Sequence, residues 1–187
     1  MILDNFLMFT GSSNGTAGGL TTGPNTDAPT TGTQNSTNVV DLGVISGIPA
    51  TAAGGGGARD IGIGDDPMMK LLVVVTSTMA GGTSLQVALQ GAPDAGANTP
   101  GAFTTMWTGP VVLLAQMTVG AYLANVDVPR TIPGQPLPRY LRLNYISAGT
   151  FTGGGSIEGT IVLDRFDQIV GTTGALGGYP PGVVVAN

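Results

Sequence analysis

No stretch of this chain keeps helical periodicity behind a good N-cap for ten residues; its apolar residues come in short runs broken by glycine and proline. That pattern points to β-structure, because a strand needs only alternation over a few residues, whereas a helix needs a stripe recurring every three to four. Eight runs qualify as strands: NVVDLGVI (38–45), MKLLVVVTST (69–78), SLQVALQ (84–90), FTTMWT (103–108), PVVLLAQ (110–116), YLANVDV (122–128), RYLRLNY (139–145) and SIEGTIVLD (156–164). Short strands separated by turn-forming residues predict an antiparallel sandwich or barrel. No internal repeat of fixed period accompanies them, which argues against a propeller or a β-helix.

The runs differ in what they bury. SLQVALQ alternates Leu85, Val87 and Leu89 with Gln86, Ala88 and Gln90, the pattern of a strand with one buried face. LLVVV at 71–75 does not alternate, so it is either covered on both faces or buried at a subunit contact. In RYLRLNY, Leu141, Leu143 and Tyr145 share a face with Arg139, while Tyr140, Arg142 and Asn144 point the other way. The second set can bury area and still make hydrogen bonds, so it reads as a docking surface. The opening ILDNFLMF has the spacing for two helical turns, with Ile2, Leu3, Phe6 and Leu7 on one side.

Between the runs lie segments with little to bury. Residues 10–37 are almost all Gly, Ser, Thr, Asn and Pro and are expected to be flexible when alone; PATAAGGGGA (49–58) is similar. Yet 42% of the residues are hydrophobic and only 9% are charged, so the chain as a whole is expected to fold, as one domain over 1–187. Its sandwich core is expected at about 36–164, with 1–35 as an N-terminal arm carrying a Gly/Ser/Thr-rich insertion and 165–187 as a C-terminal extension.

Function classes fall away by composition. With no histidine and no cysteine, Ser-His-Asp and Cys-His nucleophilic systems, thiolate or imidazole zinc sites and disulfides are excluded. A net charge of -5 and a single lysine, Lys70, argue against nucleic-acid binding. The N-terminus lacks the basic region of a signal peptide, and no apolar run approaches the roughly 18–20 residues that span a bilayer, so no membrane partner is expected.

The acidic and aromatic groupings carry little chemistry. GIGDDP (62–67) runs into a strand and not a helix, which removes the context of a phosphate-binding loop, and Asp60, Asp65 and Asp66 fit no EF-hand spacing. Glu158 and Asp164, on the polar face of SIEGTIVLD, are read as a solvated strand face and not as a hydrolase pair, for want of an aromatic sugar cleft. Neither a metal nor a cofactor is expected. Trp107, Tyr122, Tyr140, Tyr145 and Tyr179 could form a sugar-binding platform, which keeps a carbohydrate-binding adhesin or tail-associated receptor-binding sandwich as the alternative function. The tail GYPPGVVVAN could donate Val183, Val184 and Val185 as a strand to a neighbouring sheet, or close an edge of its own.

Six segments in order, STNVVDLG (36–43), ARDIGIGDDP (58–67), LQVALQGAPD (85–94), FTTM (103–106), PLPRYLRLNY (136–145) and FTGG…GTIVLD (151–164), behind a MILD start, resemble the capsid cement proteins of tailed phages, of the kind seen on the head of a Bordetella phage. The resemblance implies a jelly-roll sandwich that sits on the outer surface of a virion, after synthesis in the bacterial cytoplasm. There it would lock neighbouring capsomers of a herpesvirus-like-fold shell together, binding the major capsid protein and catalysing nothing. It does not cover 10–35 or 165–187. The interface residues expected are Tyr140, Arg142 and Asn144, Arg59 and Asp60 of the RDIG motif, Phe6, and Val183, Val184 and Val185. Arg142 is expected to meet an acid across a subunit boundary, and Arg139 to order its own loop. Self-association is expected as a homodimer, with a trimer as the alternative, since LLVVV is too apolar for a lone half-exposed strand.

Overall fold

The computed structural model describes residues 7–11, 26–43, 69–129, 138–152 and 155–162. They are all-β. The strands are β1 (Thr31–Asn35), β2 (Val40–Asp41), β3 (Lys70–Ser77), β4 (Ser84–Ala92), β5 (Thr104–Leu113), β6 (Tyr122–Asp127), β7 (Tyr140–Thr150) and β8 (Ser156–Val162), with a 3-10 turn at Leu114–Gln116.

Every pairing is antiparallel. The larger sheet runs β1-β7-β4-β5, with β2 also on β7, and the smaller runs β6-β3-β8. Residues before β1 extend the smaller sheet: Met8 bridges Thr160, the Phe9 amide donates to the Gly159 carbonyl at 2.8 Å, and Asp27 bridges Ile157. From β3 on, the chain passes to the larger sheet for β4 and β5, back for β6, across for β7 and back for β8. Residues 7–11, β8, β3 and β6 thus face β1/β2, β7, β4 and β5, which is jelly-roll order.

Alternation explains which side chains fill the sandwich. Leu85, Val87 and Leu89 of β4 and Leu141, Leu143 and Tyr145 of β7 meet Leu71, Val73 and Val75 of β3 and Ile157 and Ile161 of β8 in one core. Each such aliphatic side chain contributes about 1.5–3 kcal/mol by leaving water. At Gly159 the sheets come so close that an added Cβ would lie 2.5 Å from Leu143 Cδ1.

Four expectations change. The run LLVVV is covered inside the chain: Leu71, Val73 and Val75 face the core and Leu72 is buried on the other side, so it gives no ground for a dimer. The runs 103–108 and 110–116 share one strand, continuous through Gly109 and Pro110 to Leu113, because among the described residues β5 pairs only with β4 and proline is tolerated on an edge; a bulge opposite Gln86 and Ala88 takes up the irregularity. The stretch 10–37 contains β1. Its strand TGTQN has no apolar residue and is held by its backbone pairing to β7.

The fourth concerns the N-terminal arm. Phe9 is fully buried in the core and Leu7 beside it, so the sandwich begins well before residue 36; Leu7 has 3-10 conformation, Met8 lies on a bridge, and residues 2–6 of the expected helical turns lie outside the described residues. Asp27 secures this region. Its carboxylate accepts from the Gly11 amide at 3.3 Å, the Thr37 amide at 3.1 Å, the Thr37 hydroxyl at 2.6 Å and the Tyr145 hydroxyl at 2.9 Å. Four donors satisfy a buried acid without a cation. Burial, and then the Asp27 charge, push the Tyr145 phenol well above the usual tyrosine range.

Candidate interaction surface

The larger sheet has an outer face, turned away from the core, that by register carries Tyr140, Arg142, Asn144, Ile146 and Ala148 on β7. Beside them stand Gln90, Ala88, Gln86 and Ser84 on β4 and Val111 and Leu113 on β5. Its two ends differ in charge, cover and polarity.

At the β7 entrance two Asp-x-Gly turns clasp one arginine. Asp41 accepts the Gly43 amide at 2.7 Å and Asp94 accepts the Gly96 amide at 2.9 Å, each through Oδ1. Arg139 donates to Asp41 from Nε at 2.9 Å and from Nη2 at 3.1 Å, and from Nη1 to Asp94 Oδ2. Gly43 allows this, since a Cβ there would lie 2.0 Å from the guanidinium. Held first by the Asp41 hydrogen bonds, Arg139 is an even weaker acid than usual. Three of the motifs quoted above, VVDLG, GAPD and PRY, therefore meet at one clamp, and Arg139 orders loops of its own chain. The sequence reading left Asp41 and Asp94 without a role, although the paired Asp-x-Gly spacing was a visible signal.

The β4–β5 connection projects beyond this clamp. Gly101 donates to the Pro93 carbonyl at 2.8 Å, Ala95 to Thr99 at 2.9 Å and Thr99 to Gly96 at 3.1 Å, and Ala97 and Asn98 both have positive φ. That is the backbone of a mirror-image hairpin turn. The connection brings Phe103 back over the sheet, its ring centroid 3.9 Å from the guanidinium carbon of Arg142. Arg142 Nε donates to Gln90 Oε1 at 2.8 Å. Burial lowers the pKa of Arg142, and no carboxylate pairs with it among the described residues.

Alternation in RYLRLNY is thus as expected, but the exposure is not. Tyr140 is 4% exposed and Asn144 6%, so neither offers a docking surface as it stands. Asn144 is held by the Asn35 side chain at 2.9 Å and the Gln34 carbonyl at 3.3 Å, while the buried Tyr140 hydroxyl has no hydrogen-bond partner among the described residues. Arg142 is half-buried. Phe6, Arg59, Asp60, Val183, Val184 and Val185 lie outside the described residues, as do Asp65, Asp66, Asp164 and Tyr179.

The far end is open and apolar. Val111 is 57% exposed, Leu113 54% and Ile146 40%; Gln86 stands opposite both Val111 and Ile146, so they form one row, with Leu113 and Ala148 in the next. None of these residues was singled out from sequence. Of the five aromatics that could form a sugar-binding platform, Tyr140 and Tyr145 are buried and Trp107 packs against the core.

Glu158, on the outer face of the smaller sheet, has its carboxyl pushed up by burial, and no group of three or more metal-ligating side chains occurs among the described residues. No helix among them is long and apolar enough to cross a membrane.

A protein-family model described as Bbp16 matches residues 26–161. The chain belongs to the Bbp16 family. The family name is suggestive of a Bordetella phage protein, and the match spans β1 through nearly all of β8. It contains Arg139, Arg142 and the open apolar row, but starts after Leu7–Gly11. No curated protein matches the chain.

Proposed function

We propose that this Bbp16-family chain is a capsid cement protein, which binds the outside of a tailed-phage head through the outer face of its larger sheet and ties major capsid protein subunits together. It acts by binding and not by catalysis. The observation that carries the reading is the open row of Val111, Leu113 and Ile146 on a sheet whose other face is already buried in the core. Contiguous exposed apolar side chains on a sheet face fit a surface that meets protein. Membership of a family bearing a phage protein's name supports the setting.

Heads lacking the chain should rupture at a lower temperature than heads carrying it, and adding back purified protein should restore resistance. Equal resistance of bare and coated heads overturns the proposal. A homodimer is part of the same reading, with the apolar row as its contact where it is not spent on the shell. Light scattering at micromolar concentration tests that part: Val111→Asp should turn a dimer into a monomer, and a wild-type monomer would leave the row to the shell alone.

A further inference from the structure

Arg142 is an unusual cation. Its stem crosses the outer face of the larger sheet, its Nε is spent on the Gln90 side-chain oxygen Oε1, and the Phe103 ring centroid lies 3.9 Å from its guanidinium carbon. Both contacts fix the direction of the guanidinium and neither neutralises it. Its terminal nitrogens have no acceptor among the described residues, and the acids nearest in sequence pattern, Asp41 and Asp94, are committed to Arg139. Of the described strand residues by register on that face, the one acid is Asp41, opposite Tyr140, and both its carboxylate oxygens are held by Arg139. A partly desolvated charge held in one orientation without a counter-charge is costly unless a partner supplies one. The fork of a guanidinium is matched by a carboxylate, which it can bind through two parallel hydrogen bonds.

We infer that Arg142 anchors a docking surface whose occupant is a protein carrying an aspartate or glutamate within an otherwise apolar patch. The acid meets the free edge of the Arg142 guanidinium, and the apolar surround covers Val111 and Ile146 further along the same sheet face. Ala88, small and buried, lies between these ends, flanked in its row by Asn144 and the exposed Thr108. Phe103 shields the resulting pair from water on one side, which raises its worth above that of an open surface pair. A nucleic-acid occupant fits poorly, because a polyanion would meet a chain of net charge -5 that has six basic residues in all and, on the described part of this face, one not already bound to an acid. The inference rests on the cement reading, in which the occupant belongs to the shell.

The test uses full-length protein and heads assembled without it, with bound protein measured by co-sedimentation across a salt series. Wild type should bind, and Arg142→Gln, which can keep the contact to Gln90, should bind at least about tenfold more weakly, with a flatter salt dependence. Arg142→Lys should fall between them and Arg142→Glu below both, while Arg139→Gln lowers the melting temperature but not the binding of folded protein. If wild type binds and both Arg142→Gln and Arg142→Glu bind equally well, the inference is overturned and the cement reading stands. If wild type does not bind heads, both fall. Duplex DNA binding that Arg142→Gln abolishes would assign the site to phosphate and also overturn the inference.

Discussion

Asp94 spends one carboxylate oxygen on the Gly96 amide and the other on Arg139. The amide, with the guanidinium behind it, keeps its carboxyl below the usual aspartate range against an opposing cost from lost solvation. Because the folded value lies below the unfolded one, the stabilisation is complete above about pH 4 and is lost as pH falls through the folded value. Asp94→Asn keeps an acceptor for Gly96 and loses the charge. It should therefore melt below wild type at neutral pH, with the two curves converging in acid below about pH 4; parallel curves across the range would show that the charge contributes nothing. Little of this was legible beforehand. The partners of Arg139 lie 98 and 45 residues away, and neither periodicity nor local spacing reports which distant acid an arginine will find. What alternation did report was that Leu141, Leu143 and Tyr145 face the core while Tyr140, Arg142 and Asn144 turn away; it could not report that Arg139 would reach Asp41 over the Tyr140 ring, or that Phe103 would fold back over Arg142.

Among the strands, legibility followed the apolar face. β3, β4, β6, β7 and β8 each carry enough apolar residues to be read directly, whereas β1 is held by backbone pairing and by the Asn144 amide and leaves no hydrophobic trace. The runs on either side of Gly109 were read as two strands because the edge position that tolerates Pro110 within β5 was unknown. Which strands approach most closely was also hidden, since the cue is a missing side chain. At Gly159 of β8 the absence of a Cβ is what admits Leu143 of β7. Gly159→Ala should cost about 1–3 kcal/mol in urea denaturation, from overpacking. Pairing it with Leu143→Val should recover part of that loss. If Gly159→Ala alone is neutral, the two sheets have slack at this point and the close approach does not set their spacing.

On the scale of the molecule, the region matched by the family model is not the whole sandwich. Leu7–Gly11 occupy the edge beside β8, with Phe9 fully buried beneath. Phe9→Ala should destabilise the chain by about 3–5 kcal/mol, as a large core truncation does, and Val39→Ala, at an exposed site, by under ~0.5. Chemical denaturation of the two variants decides it, and a small effect at Phe9 would mean that the N-terminal residues merely lean on a finished core.

That edge also sets the order in which the chain can fold. The Gly159 amide donates to the Thr10 hydroxyl across 149 residues of sequence, and Met8 must find Thr160. Since the ribosome releases Thr10 long before β8, the first residues of the sandwich wait for nearly the last, and closure so distant along the chain is slow, of the order of milliseconds to seconds in β-sandwiches. Meanwhile the paired strands between them expose apolar surface that other nascent chains can capture. The hazardous interval for this molecule is thus its own synthesis, and expression at lower temperature or with chaperones should raise soluble yield more than any substitution on the finished surface.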